Sequence, residues 1–179
     1  MRSFFKSSIL LTVVLIAAHC AFAQPMPTTM SVRGDIQKPV EWSVEALERQ
    51  FAKQIETVKF NAGDGPQRVG TGIRLYSLIQ EAAPNIEPVP KHYELSFFVI
   101  LEARDGYRVY FSLAELTPQC GAAQVWLVWE ADGKPLAGKE APFRLAVTSD
   151  QGHDRYIHGI TTMTLVDGTK LANQLAGRR

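Results

Sequence analysis

The stretch at residues 125–145, VWLVWEADGKPLAGKEAPFRL, constrains this chain more than any other. Its opening run, VWLVW, is a continuous apolar segment long enough for one buried strand. Asp132-Gly133 ends that run in a turn, where glycine takes positive φ at no steric cost. Lys134-Pro135-Leu136 and a second loop at Gly138 follow, and Pro142-Phe143-Arg144-Leu145 opens another apolar segment. The stretch therefore reads as strand, tight turn, loop, strand.

The chain starts with a targeting pattern. Arg2 and Lys6 precede an apolar core at residues 9–18, and Ala21-Phe22-Ala23 has the small-x-small form of a cleavage site. Residues 1–23 are read as a signal peptide cut before Gln24, because the core is too short to span a bilayer as a stable helix. His19 stands where a lipoprotein site needs a small residue, so Cys20 is not read as a lipid anchor. No Arg-Arg pair precedes the core, which indicates the general secretion route and a periplasmic or secreted protein.

Removing Arg2 and Lys6 takes the formal charge from +1 to −1. A near-neutral chain without a basic run has no electrostatic footprint for nucleic acid. One thiol, Cys120, remains after residue 23, which excludes an intrachain disulfide. No membrane span is expected after signal removal.

Residues 24–30 are rich in Pro and Thr and read as a flexible arm. Residues 31–167 carry the domain. Short strands are expected near residues 31–36, 40–43 and 55–60. Between the last two, Val44, Leu47 and Phe51 share one helical face behind a capping Ser43. Residues 61–66, NAGDGP, read as a loop. That loop serves either as an anion cradle of backbone N–H groups or as a plain connection. Leu75, Leu78, Ile79 and Ala82 form the face of a second helix, entered at Arg74 and stopped by Pro84. Residues 95–103 and 107–111 flank a hairpin signal at Asp105-Gly106. Residues 117–123 form a loop holding Cys120. Residues 160–166 are the last strand, and residues 168–179 form a C-terminal tail with a loose helix. Short strands interrupted irregularly by short helices indicate an α+β fold.

Taken in order, these residues resemble the sulfite-oxidase-like molybdopterin-binding domain in a small, single-domain exported form. The resemblance rests on Val32-Arg33-Gly34 with Pro39, Gly72-Ile73-Arg74-Leu75, Asp105-Gly106-Tyr107 with Ser112-Leu113, residues 126–130, Gly133-Lys134-Pro135-Leu136, and Pro142-Phe143-Arg144-Leu145. Arg155-Tyr156-Ile157-His158 matches the family's Arg-x-Val-Lys segment. In the family a cysteine thiolate in a Cys-Ala-Gly-Asn loop binds molybdenum. The matching loop here is Asn61-Ala62-Gly63-Asp64, so a neutral amide stands in place of a soft anionic ligand. His158 and Gly159 replace the family's lysine and the aromatic after it.

The resemblance implies a cleft for the pterin and its phosphate, with Asn61, Arg74, Arg144, Arg155 and His158 as its cofactor-binding residues. Arginine suits an oxyanion because its planar fork presents parallel donors. With the cysteine missing, the expected function is an exported molybdopterin-domain-like protein. It binds an anionic small molecule or an envelope partner without molybdenum redox catalysis. The alternative is a molybdopterin-dependent oxidoreductase with non-cysteine coordination of the metal. A third reading makes Trp42, Trp126 and Trp129 an aromatic contact surface, although their apolar runs place them in the core. His153, Asp154 and His158 are a further metal candidate whose spacing lacks the familiar helical geometry.

Overall fold

The structure is a computed structural model, and it describes residues 27–61, 65–85, 91–152 and 154–177. The expected signal peptide and the first residues of the expected arm lie outside the described residues, as do residues 62–64, 86–90, His153 and 178–179.

In chain order the elements are β1 (Thr29–Gly34), β2 (Val40–Ser43), α1 (Val44–Gln50), β3 (Ile55–Asn61), β4 (Gln67–Arg74) and α2 (Leu75–Ala82). After a 3-10 turn at Tyr93–Leu95 come β5 (Phe97–Ala103), β6 (Arg108–Ser112), α3 (Leu113–Leu116), β7 (Val125–Ala131) and β8 (Lys134–Pro135). A 3-10 turn at Gly138–Glu140 precedes β9 (Arg144–Val147), β10 (Ile160–Asp167) and α4 (Gly168–Ala176). The fold is α+β, with strands in two sheets.

The first sheet has the order β2-β1-β10-β5-β6, and its one parallel pairing joins β1 to β10. The second has the order β3-β4-β7-β8, with β9 beside β7 as well. The main core lies between the sheets and includes Val32, Leu47, Leu78, Leu101, Leu127, Leu145 and Met163.

Turn chemistry sets the hairpins. Asp132 and Gly133 both take positive φ, 55° and 73°, the pattern of a type I′ turn that matches strand twist. At the other hairpin the Asp105 carboxylate accepts from the Tyr107 N–H at 3.0 Å. Ser43 caps α1 by accepting from the Ala46 N–H at 3.2 Å. The four apolar positions expected on α2 are all buried.

β7 is buried on both faces, as its unbroken apolar run requires. Val125, Leu127 and Trp129 face the main core. Trp126 and Val128 join Val58, Phe60 and Ala146 in a smaller cluster on the outer face. Gly70 makes this outer packing possible: a Cβ there would stand 2.7 Å from both the Phe60 ring and Val128. Burying Phe60 alone contributes about 2–3 kcal/mol. The β4–β7 register slips between Thr71 and Gly72, and Trp129 is the extra, unpaired residue. Trp42, Trp126 and Trp129 are all buried, so they form no aromatic contact surface.

Three local expectations are corrected. Asn61 is not in a loop: β3 runs to it because it still pairs with Gln67 of β4. The strand expected from Leu95 begins at Phe97, since Tyr93–Leu95 close a 3-10 turn first. The tail helix starts in a fixed position rather than loosely. Asp167 caps α4 by accepting from Thr169 and Lys170 N–H groups, and Lys170 pairs with Asp35 at 2.6 Å.

Candidate functional site

The outer face of the second sheet carries two of the five predicted site residues, one at each end. Arg144 lies opposite Val128 in the β7–β9 register, and Arg74 lies opposite Trp126 in the β4–β7 register. Each guanidinium covers an aromatic ring: Arg144 sits 5.0 Å from the Phe60 centroid and Arg74 3.9 Å from that of Trp126. Arg68, at the Arg144 end of β4, is six residues from Arg74, which at strand rise is about 20 Å.

The Arg144 end is closed. Arg144 is 3 % exposed and pairs with Glu140. Glu140 also accepts from Arg68 at 3.0 and 3.2 Å, and Arg68 reaches Asp132 at 2.8 Å. Two guanidinium groups and two carboxylates alternate, so the cluster carries no formal charge. Burial pulls the Arg144 guanidinium below its ordinary range, although Glu140 opposes the shift. The hydrogen bond that Arg68 donates to Asp132 leads in raising that of Arg68. The Val69 N–H and then Arg68 hold the Asp132 carboxyl below the usual carboxylate range. The Arg144 Nε makes no hydrogen bond within the protein.

Arg155 is engaged elsewhere. It meets Asp150 through two bonds at 2.5 and 2.7 Å and Glu115 at 2.7 Å, above the Phe111 ring at 4.5 Å. Those bonds, with Asp150 foremost, raise its pKa well above the usual arginine value. Its work is to tie the polar segment after β9 to α3 and the first sheet.

His158 forms a backbone bridge with Arg144 and lines a cavity of about 340 Å³ with Asp105, Tyr107, Asp154 and Tyr156. This cavity is acidic and lacks an arginine among its lining residues. Asn61 is exposed at the end of β3. Strand alternation sends its side chain to the face opposite Phe60, and hence away from Arg144. No group of three His, Cys, Asp or Glu residues able to hold a metal occurs among the described residues.

These positions do not fit a molybdenum pterin. The ligand position is an exposed amide, and two of the three predicted arginines are already paired with internal carboxylates. Cys120 offers no substitute thiolate there. It is exposed in the turn after α3, and it acts electrostatically on Tyr76 of α2, far along the fold from Asn61.

Arg74 differs from the others. It occupies the N-cap position of α2 and lines a cavity of about 350 Å³ with Tyr76, Ser77, Leu116, Gln124 and Val125. Its one ion pair, to Glu56, is long at 3.8 Å. The first turn of α2 has no side-chain cap and no acidic residue. First-turn N–H groups lack intrahelical acceptors, and the helix dipole is positive there. Arg74, the first-turn residues Tyr76 and Ser77, and Gln124 thus border one cavity. Sequence reasoning named Arg74 but missed Ser77 and Gln124. The signal was the helix start at Arg74-Leu75, which has neither a Ser/Thr/Asp/Asn cap nor an acid to satisfy it.

No protein-family model matches the chain, and no curated protein matches it. Among solved structures it is similar to the crystal structure of the sulfane dehydrogenase SoxCD from Paracoccus pantotrophus. The TM-score is 0.58 and the identity 17%. The match covers 79% of this chain and 39% of that one, so the likeness is one of fold. No described helix is long and apolar enough to cross a membrane.

Proposed function

We propose that this is an exported protein on a sulfite-oxidase-like fold that binds a small organic anion without molybdenum redox chemistry. The fold likeness to a sulfane dehydrogenase supports the fold relationship. One observation carries the binding assignment: Arg74 joins an uncapped helix start at the mouth of a cavity. Anions are stabilised at such a site by the guanidinium, the first-turn N–H groups and the dipole together. The cavity walls at Leu116, Ala123 and Val125 are apolar, which suits an anion with an organic body rather than a bare oxyanion.

Calorimetric titration of the exported protein with benzoate and with sulfate tests this reading. Benzoate binding that Arg74→Ala weakens by about tenfold or more is expected, with sulfate weaker. Unchanged benzoate affinity in the variant excludes the site.

A second reading, a molybdopterin-dependent oxidoreductase with non-cysteine coordination, is favoured only by the likeness to a dehydrogenase. Molybdenum and pterin analysis of protein from the native host's exported fraction decides it. Both at near one per chain establish that reading, and absence of both removes it.

A further inference from the structure

A second cavity, of about 320 Å³, shares the lining residue Tyr76 with the Arg74 cavity. It is lined by Gln37, Tyr76, Ile79, Gln80, Pro84 and Tyr93, among others. Tyr76 lines both cavities. The two spaces therefore both adjoin one half-buried side chain of α2. From Arg74 to Pro84 the chain advances ten residues, about 15 Å at helical rise.

The two ends differ in chemistry. The Arg74 end is cationic, as described. At the other end the residues are neutral and polar. Gln80 stands four residues after Tyr76, on the same face of α2. Gln37 is exposed and held beside the end of α2 because its N–H donates to the Ala83 carbonyl at 2.8 Å. Among the described residues, no acidic or basic one lines this second cavity. Between the ends, Tyr76 and Tyr93 offer aromatic surface, and Tyr93 is fixed edge-on to Phe97 at 6.4 Å. Aromatic pairs favour offset or edge-to-face contacts, so a flat ligand ring gains directional packing there.

We infer that the two cavities form one groove for an elongated aromatic anion, with its negative group at Arg74 and a neutral hydrogen-bonding end at Gln37 and Gln80. This rests on the anion site at Arg74 and adds the ligand's length, its aromatic body and the polarity of its far end. Amide side chains both donate and accept, so they select a carboxamide-like edge over a second charge. A ligand charged at both ends would leave one charge without a counter-ion in a partly desolvated cavity.

The test uses the full exported protein and three probes: benzoate, biphenyl-4-carboxylate and 4′-carbamoylbiphenyl-4-carboxylate. Affinity is read by calorimetry. Protection of Cys120, the thiol near Tyr76, against alkylation by iodoacetamide gives an independent readout. Affinity should rise at each step of that series, by about tenfold for the added ring. Gln37→Ala with Gln80→Ala should remove the advantage of the carbamoyl probe over biphenyl-4-carboxylate, and a retained advantage overturns the polar far end. Arg74→Ala should weaken all three. Equal affinity for benzoate and the two biphenyls, still lost in Arg74→Ala, overturns the groove and leaves the anion site standing. Biphenyl binding indifferent to Arg74→Ala overturns both. Absence of binding by all three probes at millimolar concentration, in a protein that melts cooperatively, also overturns both.

Discussion

The two ends of the second sheet's outer face start from the same local chemistry and finish differently. At each end an arginine lies over a buried aromatic ring. At the Arg144 end, Glu140, Arg68 and Asp132 complete a closed chain of ion pairs. At the Arg74 end one distant carboxylate, Glu56, is the partner, and a cavity opens beside an uncapped helix. An arginine stacked on a ring is thus not by itself a ligand site. Its carboxylate environment decides whether donors remain for a ligand. A buried pair is held in place by the cost of separating it, because either charge left alone would be poorly solvated.

The largest effect should come from breaking the closed end. Glu140→Ala strands the Arg144 charge in the protein and should destabilise the fold by about 3 kcal/mol in chemical denaturation. Arg144→Met keeps the volume and removes that charge, and should cost about 1 kcal/mol or less. If the two variants lose the same amount, unpaired charge is not what matters there.

Arg74→Ala comes next, with its effect on binding. Loss of a charge-assisted hydrogen bond should weaken benzoate by about tenfold to a hundredfold. The lost stacking on Trp126 should cost the fold only about 0.5–1 kcal/mol. A large stability loss in this variant would erase the contrast between the ends.

A pH series sharpens it further. The folded-state pKa of Asp132 is depressed, so its contribution to stability is present above the unfolded carboxyl value. It is lost as pH falls through the lower folded value. Wild type should therefore lose stability below about pH 4. Asp132→Asn should show a flatter acid limb over the same range, read by thermal melts at several pH values. Parallel acid limbs would remove Asp132 from the account.

The smallest effect belongs to Asn61. Exposed at the end of an edge strand, Asn61→Cys should change stability by less than about 0.5 kcal/mol. It should not confer molybdenum on protein from the native host. Stoichiometric metal in that variant would show that the missing thiolate alone separates this chain from a molybdenum enzyme.

Much of the architecture was legible because local signals agreed with the final packing. The run VWLVW, the two Asp-Gly turns and the apolar face of α2 each required only nearby residues. What was not legible depended on pairs distant in sequence. Arg68 meets Glu140 72 residues away, and Arg155 meets Glu115 40 residues away. Nothing in a single sequence distinguishes those arginines from Arg74. Nor does periodicity reveal that β3 continues through Asn61, because its last pairing is made with β4 and not along its own chain. The slip at Trp129 was equally hidden, since it re-aims the strand only once β4 is beside it.

The parallel pairing of β1 with β10 has a consequence for how the chain is made. β10 is the middle strand of the first sheet, between β1 and β5. Until the segment through Asp167 has emerged, β2-β1 and β5-β6 are two hairpins with no shared partner. A two-stranded hairpin is marginal in water. The first sheet therefore cannot close until the segment through Asp167 is available, and it then closes in one step.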